Sequence, residues 1–89
     1  VTATLRLPRG LASVANTELS HQVEGDTLAG ALDDLFEREP GLRNHILDEE
    51  GRIRPHVSMF VDRDQAGLTA PVRDGAEIQV LNAVSGGRS

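Results

Sequence analysis

An α+β fold, with a mixed sheet of four or five strands and one main helix packed on one face, is what the sequence predicts. Three observations predict it. Residues 2–7 and 17–23 alternate polar and apolar side chains with the period of two that a half-buried strand requires. The period then changes: Leu28, Ala31, Leu32, Leu35 and Phe36 fall at i, i+3, i+4, i+7 and i+8, the stripe of an amphipathic helix. Alternation returns at residues 56–62 and 76–81. The helix must cover one sheet face, because the strands have nothing else to bury their apolar stripes against.

In the first strand Ala3, Leu5 and Leu7 share a face, and Pro8-Arg9-Gly10 breaks the pattern. Residues 11–16 read as a loop or wide turn of small side chains. Leu19, His21 and Val23 share one face of the second strand, and the short connection makes the two strands an antiparallel hairpin. Asp26 or Thr27 can cap the orphan N–H groups of the helix, while Asp33, Asp34 and Glu37 lie off its stripe toward water. Gly30 costs about 1 kcal/mol against alanine inside a helix, which marks a point of close packing against the sheet. Pro40-Gly41 stops the helix at about Glu39.

Leu42, Ile46 and Leu47 suggest one turn of α or 3₁₀ helix that pins a long connection to the core. Asp48-Glu49-Glu50-Gly51 reads as a solvated turn, without organised metal-ligand spacing around it. In the third strand Val57, Met59 and Val61 point one way and Ser58 and Phe60 the other. Residues 63–67 read as a polar turn. Residues 68–72, interrupted by Pro71, suit a short edge strand, and Arg73-Asp74-Gly75 suits a tight turn. The last strand turns Ile78 and Val80 inward and Glu77, Gln79 and Leu81 outward. The order β-β-α-β-(short β)-β, with the last strand returning beside the first, is a β-grasp arrangement. The expected organisation is one domain over residues 1–82 and a flexible tail over residues 83–89, with residues 11–16 and 48–54 as further mobile pieces.

Composition narrows the function. Eighty-nine residues form one domain, and a chain this short buries about 60–65% of its unfolded surface. Without cysteine there is no disulfide framework, thiolate nucleophile or thiolate metal site. No apolar run approaches the roughly 18 residues of a membrane span, and the alternating start is unlike a signal peptide, so the chain reads as cytoplasmic. A net charge of −5 and the absence of lysine argue against nucleic acid and anionic membranes and favour a partner with a basic surface. With Phe36 and Phe60 as the only aromatics, a base-stacking surface is not expected. His21, His45 and His56 lack ligand spacing; His21 reads as a partly buried edge residue. Asp62 and Asp64 read as turn residues rather than acid/base catalysts.

The end of the chain is Ala83-Val84-Ser85-Gly86-Gly87-Arg88-Ser89. Gly86-Gly87 removes steric bulk and admits almost any φ/ψ, which suits a peptide that enters a tight channel. It is not a phosphate loop, because no strand-to-helix transition surrounds it. Together with Gly25-Asp26-Thr27-Leu28, Leu32, Leu35, residues 57–62, Leu68, residues 72–78 and residues 81–87, this ending resembles the MoaD/ThiS group of ubiquitin-like sulfur carriers. The length of the connection at residues 42–54 is most similar to members serving cysteine biosynthesis and related thiocarboxylate pathways.

The resemblance implies a carrier that is not itself an enzyme and binds no cofactor. A ubiquitin-activating-type enzyme would use ATP to adenylate the carboxylate of Gly87, and a sulfur donor would then displace AMP to leave a thiocarboxylate. Val84, Ser85 and Gly86 would thread that terminus into the enzyme. A sulfur-accepting biosynthetic enzyme, for cysteine, molybdopterin, thiamine or a specialised metabolite, would be the second partner. One departure stands out: Arg88-Ser89 follow Gly87, whose carbonyl is therefore in a peptide bond. Either a protease removes the pair, or the pair is foreign to the natural chain, or this member carries no sulfur. The alternatives to a carrier are a modifier conjugated through Gly87 and a non-catalytic interaction module. Phe60 and Leu81, expected outward on strands near the tail, form a candidate apolar anchor for a partner, with Arg6 and Gln79 as a polar rim. The competing expectation is that a loop or the tail covers one of them.

Overall fold

The computed structural model describes residues 1–82. Strands β1 (Thr2–Arg6), β2 (Ser20–Glu24), β3 (Val57–Val61), β4 (Asp64–Gln65) and β5 (Glu77–Asn82) form one sheet in the order β2-β1-β5-β3-β4. The β1–β5 pair is parallel and the other three pairs are antiparallel. This is the β-grasp arrangement: helix α2 (Leu28–Arg38) covers one face, and the last strand lies between the first and the third. Ala3, Leu5 and Val23, with Met59, Ile78 and Val80, meet Leu28, Ala31, Leu32, Leu35 and Phe36 of α2 in one core. Leu42, Ile46 and Leu47 close it from the connection, which forms a 3₁₀ turn (Pro40–Leu42) and a one-turn helix, α3 (Arg43–Ile46). Among the described residues every buried side chain is apolar.

The first turn of α2 is fastened to the rest of the chain. Thr27 is the N-cap, and its Oγ1 accepts the Gly30 N–H at 3.2 Å. The Leu28 and Ala29 amides donate to the carbonyls of Ala70 and Leu68, each at 2.9 Å. These are the helix-end donors that have no partner within a helix. Residues 68–72 therefore do not form the expected edge strand. Two of their carbonyls are committed to the helix, and their one sheet-like pairing is an isolated bridge between Thr27 and Pro71. The short strand is instead β4, within the expected polar turn. It pairs with β3 through a two-residue turn, Asp62-Arg63, with φ of 51° and 76°, the backbone of a primed hairpin turn.

Three further expectations change. Residues 11–16 are not a loop: helix α1 (Arg9–Ala15) begins after Pro8 and buries Leu11 and Ala12. Asn16 ends it at φ 56°, ψ 50°, with Asn16 N–H donating to Ser13 O at 3.1 Å and Thr17 N–H to Ala12 O at 2.9 Å. That is a Schellman ending with asparagine in the left-handed position. Residues 48–54 form a tied turn rather than a loose one: Asp48 Oδ1 accepts the Glu50 and Arg52 amides, both at 2.9 Å, and Arg54 N–H donates to Ile46 O at 3.0 Å. Leu19 precedes β2 and is 47% exposed, whereas His21 is half-buried and Val23 fully buried. The tail, residues 83–89, lies outside the described residues.

The close approach belongs to Gly25 and not to Gly30. A Cβ on Gly25 would collide with the Ala31 nitrogen and would lie 2.6 Å from the Gly30 carbonyl carbon. A Cβ on Gly30 would meet Gly25 Cα and Thr27 Oγ1 at an ordinary 3.6 Å. The chain can fold back from β2 onto the first turn of α2 because residue 25 has no side chain. Gly25→Ala is expected to destabilise the domain by about 1–3 kcal/mol, the usual range for overpacking. Gly30→Ala is expected to be neutral or to stabilise by up to about 1 kcal/mol. Urea unfolding of the two variants checks both values.

The Asp34 carboxyl is held below its ordinary value. It accepts the Glu24 N–H at 3.0 Å, partial burial opposes the shift, and the Arg38 guanidinium adds a hydrogen bond at 3.0 Å and an attractive charge. A carboxyl lowered in the folded state stabilises the fold above its unfolded pKa, and that contribution is lost as pH falls through the folded value. Asp34→Asn is expected to flatten stability against pH below about pH 4, as read from thermal unfolding across an acid series.

Candidate functional site

The parallel pairing of β1 with β5 brings both strand ends to the same side of the sheet, and the antiparallel β2 begins there. Arg6-Leu7-Pro8, Leu19-Ser20 and Gln79-Val80-Leu81 meet in an open groove of about 280 Å³. The groove lies where the chain leaves β5 toward residues 83–89. Leu19 and Leu81, at 47% and 44% exposure, give it two unsatisfied apolar side chains. Leu7 and Val80 are buried beneath them.

Of the four candidate docking residues, Arg6, Gln79 and Leu81 line this groove. Phe60 does not. It sits opposite Gln79 across the β3–β5 pair and shares the outer face, while Ser58 sits opposite Leu81. Phe60 is half-buried and absent from the core cluster, so it extends the outer face on the β3 side. Arg6 is not a free rim charge: its Nε lies 2.8 Å from Glu77 Oε2, both side chains remaining well exposed. Such a surface pair contributes about 0–1 kcal/mol. Val84, Ser85, Gly86 and Gly87 lie outside the described residues.

Strand phase does not place Leu19, Pro8 and Ser20 in this groove. Leu19 falls in phase with His21 and Val23, so alternation assigns it inward, and Pro8 reads only as a strand breaker. The available signal was topological: an antiparallel pair must bring the ends of its connection together, as the Leu7 N–H bond to Leu19 O at 2.8 Å does. The remaining candidates are structural. His21 Nε2 lies 2.9 Å from Glu18 O and 3.2 Å from Thr17 Oγ1. Asp62 Oδ1 accepts the Glu77 N–H at 3.0 Å, tying the turn after β3 to the start of β5. Among the described residues no cluster of three His, Cys, Asp or Glu side chains is placed to hold a metal ion, and no helix is long and apolar enough to cross a membrane.

A β-grasp domain whose last strand runs out toward Gly-Gly places the chain in the class of ubiquitin-like sulfur carriers and modifiers. The ThiS family model matches residues 6–87, and the chain belongs to that family. The sulfur carrier protein CysO of Mycobacterium tuberculosis is 28% identical over 90 residues, covering 94% of this chain and 97% of that protein. Small archaeal modifier protein 1 of Haloferax volcanii is 30% identical over 79 residues, covering 86% of this chain and 91% of that one. Its crystal structure superposes with a TM-score of 0.86 at 26% identity, over 97% of this chain and 99% of that chain. A chain in the crystal structure of the Amycolatopsis orientalis BexX/CysO complex superposes with a TM-score of 0.85 at 27% identity, over 94% of this chain and 98% of that chain.

Because neither Phe60 nor Leu19 belongs to the core, Phe60→Ala and Leu19→Ser are each expected to change folding stability by less than about 1 kcal/mol. Leu5→Ala, in the fully buried face of β1, is expected to cost about 2–5 kcal/mol. Chemical denaturation of the three variants makes the comparison.

Proposed function

We propose that the chain is a sulfur carrier whose reactive group is the main-chain carboxylate of Gly87, exposed once the chain is cut after that residue. The observation that carries this reading is the reach of the family match, which runs through β5 and ends on Gly87. The carboxylate attacks the α-phosphorus of ATP in a ubiquitin-activating-type enzyme and expels pyrophosphate, giving an acyl adenylate. A sulfur nucleophile then attacks the acyl carbon and AMP leaves. The chain supplies no acid, base or metal to either step and binds no cofactor of its own; its partner turns a poor electrophile into one with a good leaving group.

The domain's part is to dock and to aim. Gly87 follows Asn82, the last residue of β5, by five residues, a span of at most roughly 18 Å. The activating enzyme must therefore seat the sheet close to its nucleotide. The groove of Leu19 and Leu81, with Gln79 and Arg6 beside it and Phe60 farther along the outer face, is the surface for that contact. A net charge of −5 favours a basic docking surface on the enzyme. Gly86 and Gly87 present no side chain to the channel. We place the protein in the cytoplasm, where ATP is available, with a sulfur-accepting biosynthetic enzyme as its second partner and a protease removing Arg88-Ser89.

The relationship to small archaeal modifier protein 1 favours a second reading, in which the activated Gly87 carbonyl is attacked by a target amine to form an amide. The chain contains no lysine, so it cannot build lysine-linked polymers through itself. One experiment separates the two. The form ending at Gly87 is incubated with ATP, the activating enzyme and a sulfide source, then analysed by intact mass. Replacement of one oxygen by sulfur is the expected result, and the form retaining Arg88-Ser89 is expected to stay unchanged. Higher-mass adducts instead support the modifier reading, and no change in the trimmed form overturns both.

A further inference from the structure

Strand β2 is an edge strand, and its outward side is where another strand could add. The hydrogen bonds show which groups face outward. The Thr4 amide turns toward β5, donating to Ala76 O at 3.0 Å. Ala3 and Leu5 therefore bond to β2, through their partners Val23 and His21. Bonds from Leu7 N–H to Leu19 O at 2.8 Å and from Gly25 N–H to Val1 O at 3.1 Å keep the same phase at both ends. The main-chain groups of Ser20, Gln22 and Glu24 are left on the open edge.

Two of those groups, at the centre and one end, are already occupied, and the same helix occupies both. Asp34 Oδ2 accepts the Glu24 N–H at 3.0 Å, and Arg38 Nη2 donates to the Gln22 carbonyl. The two side chains also bind each other one helical turn apart, at 3.0 Å. A neighbouring strand's amide and carbonyl would need these positions.

An unsealed β2 would have an obvious partner in a second copy of itself. Antiparallel pairing about a two-fold axis centred on Gln22 sets Gln22 opposite Gln22 and Ser20 opposite Glu24. All three residues carry their free groups on that edge, and no two like charges stand opposite. The register is self-complementary, and it would join two five-stranded sheets into one. We propose that Asp34 and Arg38 seal the β2 edge and keep the protein monomeric. Removing them lets β2 pair with β2 of a second copy. The domain is then left to meet its partners through its outer face and the groove at the end of β5, and not through its edge.

The test is the oligomeric state of Asp34→Ala/Arg38→Ala by sedimentation equilibrium over a wide concentration range, with circular dichroism confirming the fold. Wild type is expected to sediment as one chain throughout. The double variant is expected to approach twice that mass as concentration rises, with slower hydrogen exchange at the Gln22 amide. Adding Gln22→Pro, which removes an outward N–H without touching the β1 ladder, is expected to restore the monomer. A folded double variant that stays monomeric, or a dimer indifferent to Gln22→Pro, overturns the proposal. If the double variant loses its fold, Arg38→Met keeps a long side-chain stem on the helix and frees only the Gln22 carbonyl. Weaker dimerisation is then expected, and strict monomer at the highest concentration overturns the proposal.

Discussion

One sheet face has one substantial helix to bury against, and the placement of α2 constrains everything else. Its stripe of Leu28, Ala31, Leu32, Leu35 and Phe36 supplies one side of the core, while strands from both halves of the chain supply the other. A helix held by apolar contact alone could slide or rotate, because that contact is non-directional. Directional bonds fix it at both ends. Thr27 and the carbonyls of Leu68 and Ala70 hold its first turn, Gly25 lets β2 turn in closely beside that turn, and Asp34 with Arg38 fastens its last half to β2.

That arrangement divides the molecule into a covered side and an open one. The helix, the 3₁₀ turn and α3 close the inner face, and side chains from α2 occupy the β2 edge. The outer sheet face remains, and an open groove lies where β1, β2 and β5 meet at the end of β5. On the proposed function the chemistry resides in the main chain, and such a carrier needs no buried acid or base. It needs a surface that positions it and a terminus that reaches. The Asp34 carboxyl, held below its ordinary value by the Glu24 N–H and Arg38, serves the contact between α2 and β2 and lies outside the groove.

The two residue periods, the order of the long strands and the main helix were legible because each is a long pattern repeated over several residues. The misread pieces were short. Helix α1 has seven residues and a mixed composition, and its asparagine ending resembles a turn signal. Strand β4 has two residues, too few for alternation to register. Residues 68–72 have the composition of an edge strand, yet their carbonyls go to the orphan amides of α2, a use that no pattern within those residues records. Among the residues that line the groove, the outward turn of Arg6, Gln79 and Leu81 was legible from strand phase, whereas the exposure of Leu19 was not, because phase predicts a face and does not reveal where the cover over that face ends.

By itself the sequence determined the local terms: which residues alternate, where the period changes to 3.6, where glycine and proline interrupt, and that the chain carries Gly-Gly beyond its last strand. Those properties belong to neighbours along the chain and are fixed by side-chain chemistry and backbone sterics. Only the tertiary structure decided which glycine is crowded, which carbonyls cap α2, that Arg6 pairs with Glu77, and that Leu19 and Leu81 line one groove. All but the crowding of Gly25, which arises within six residues at the entry to α2, are contacts between residues distant in sequence. Such contacts exist only once the helix has settled on the sheet, and the spacing of residues along the chain does not encode distances across it.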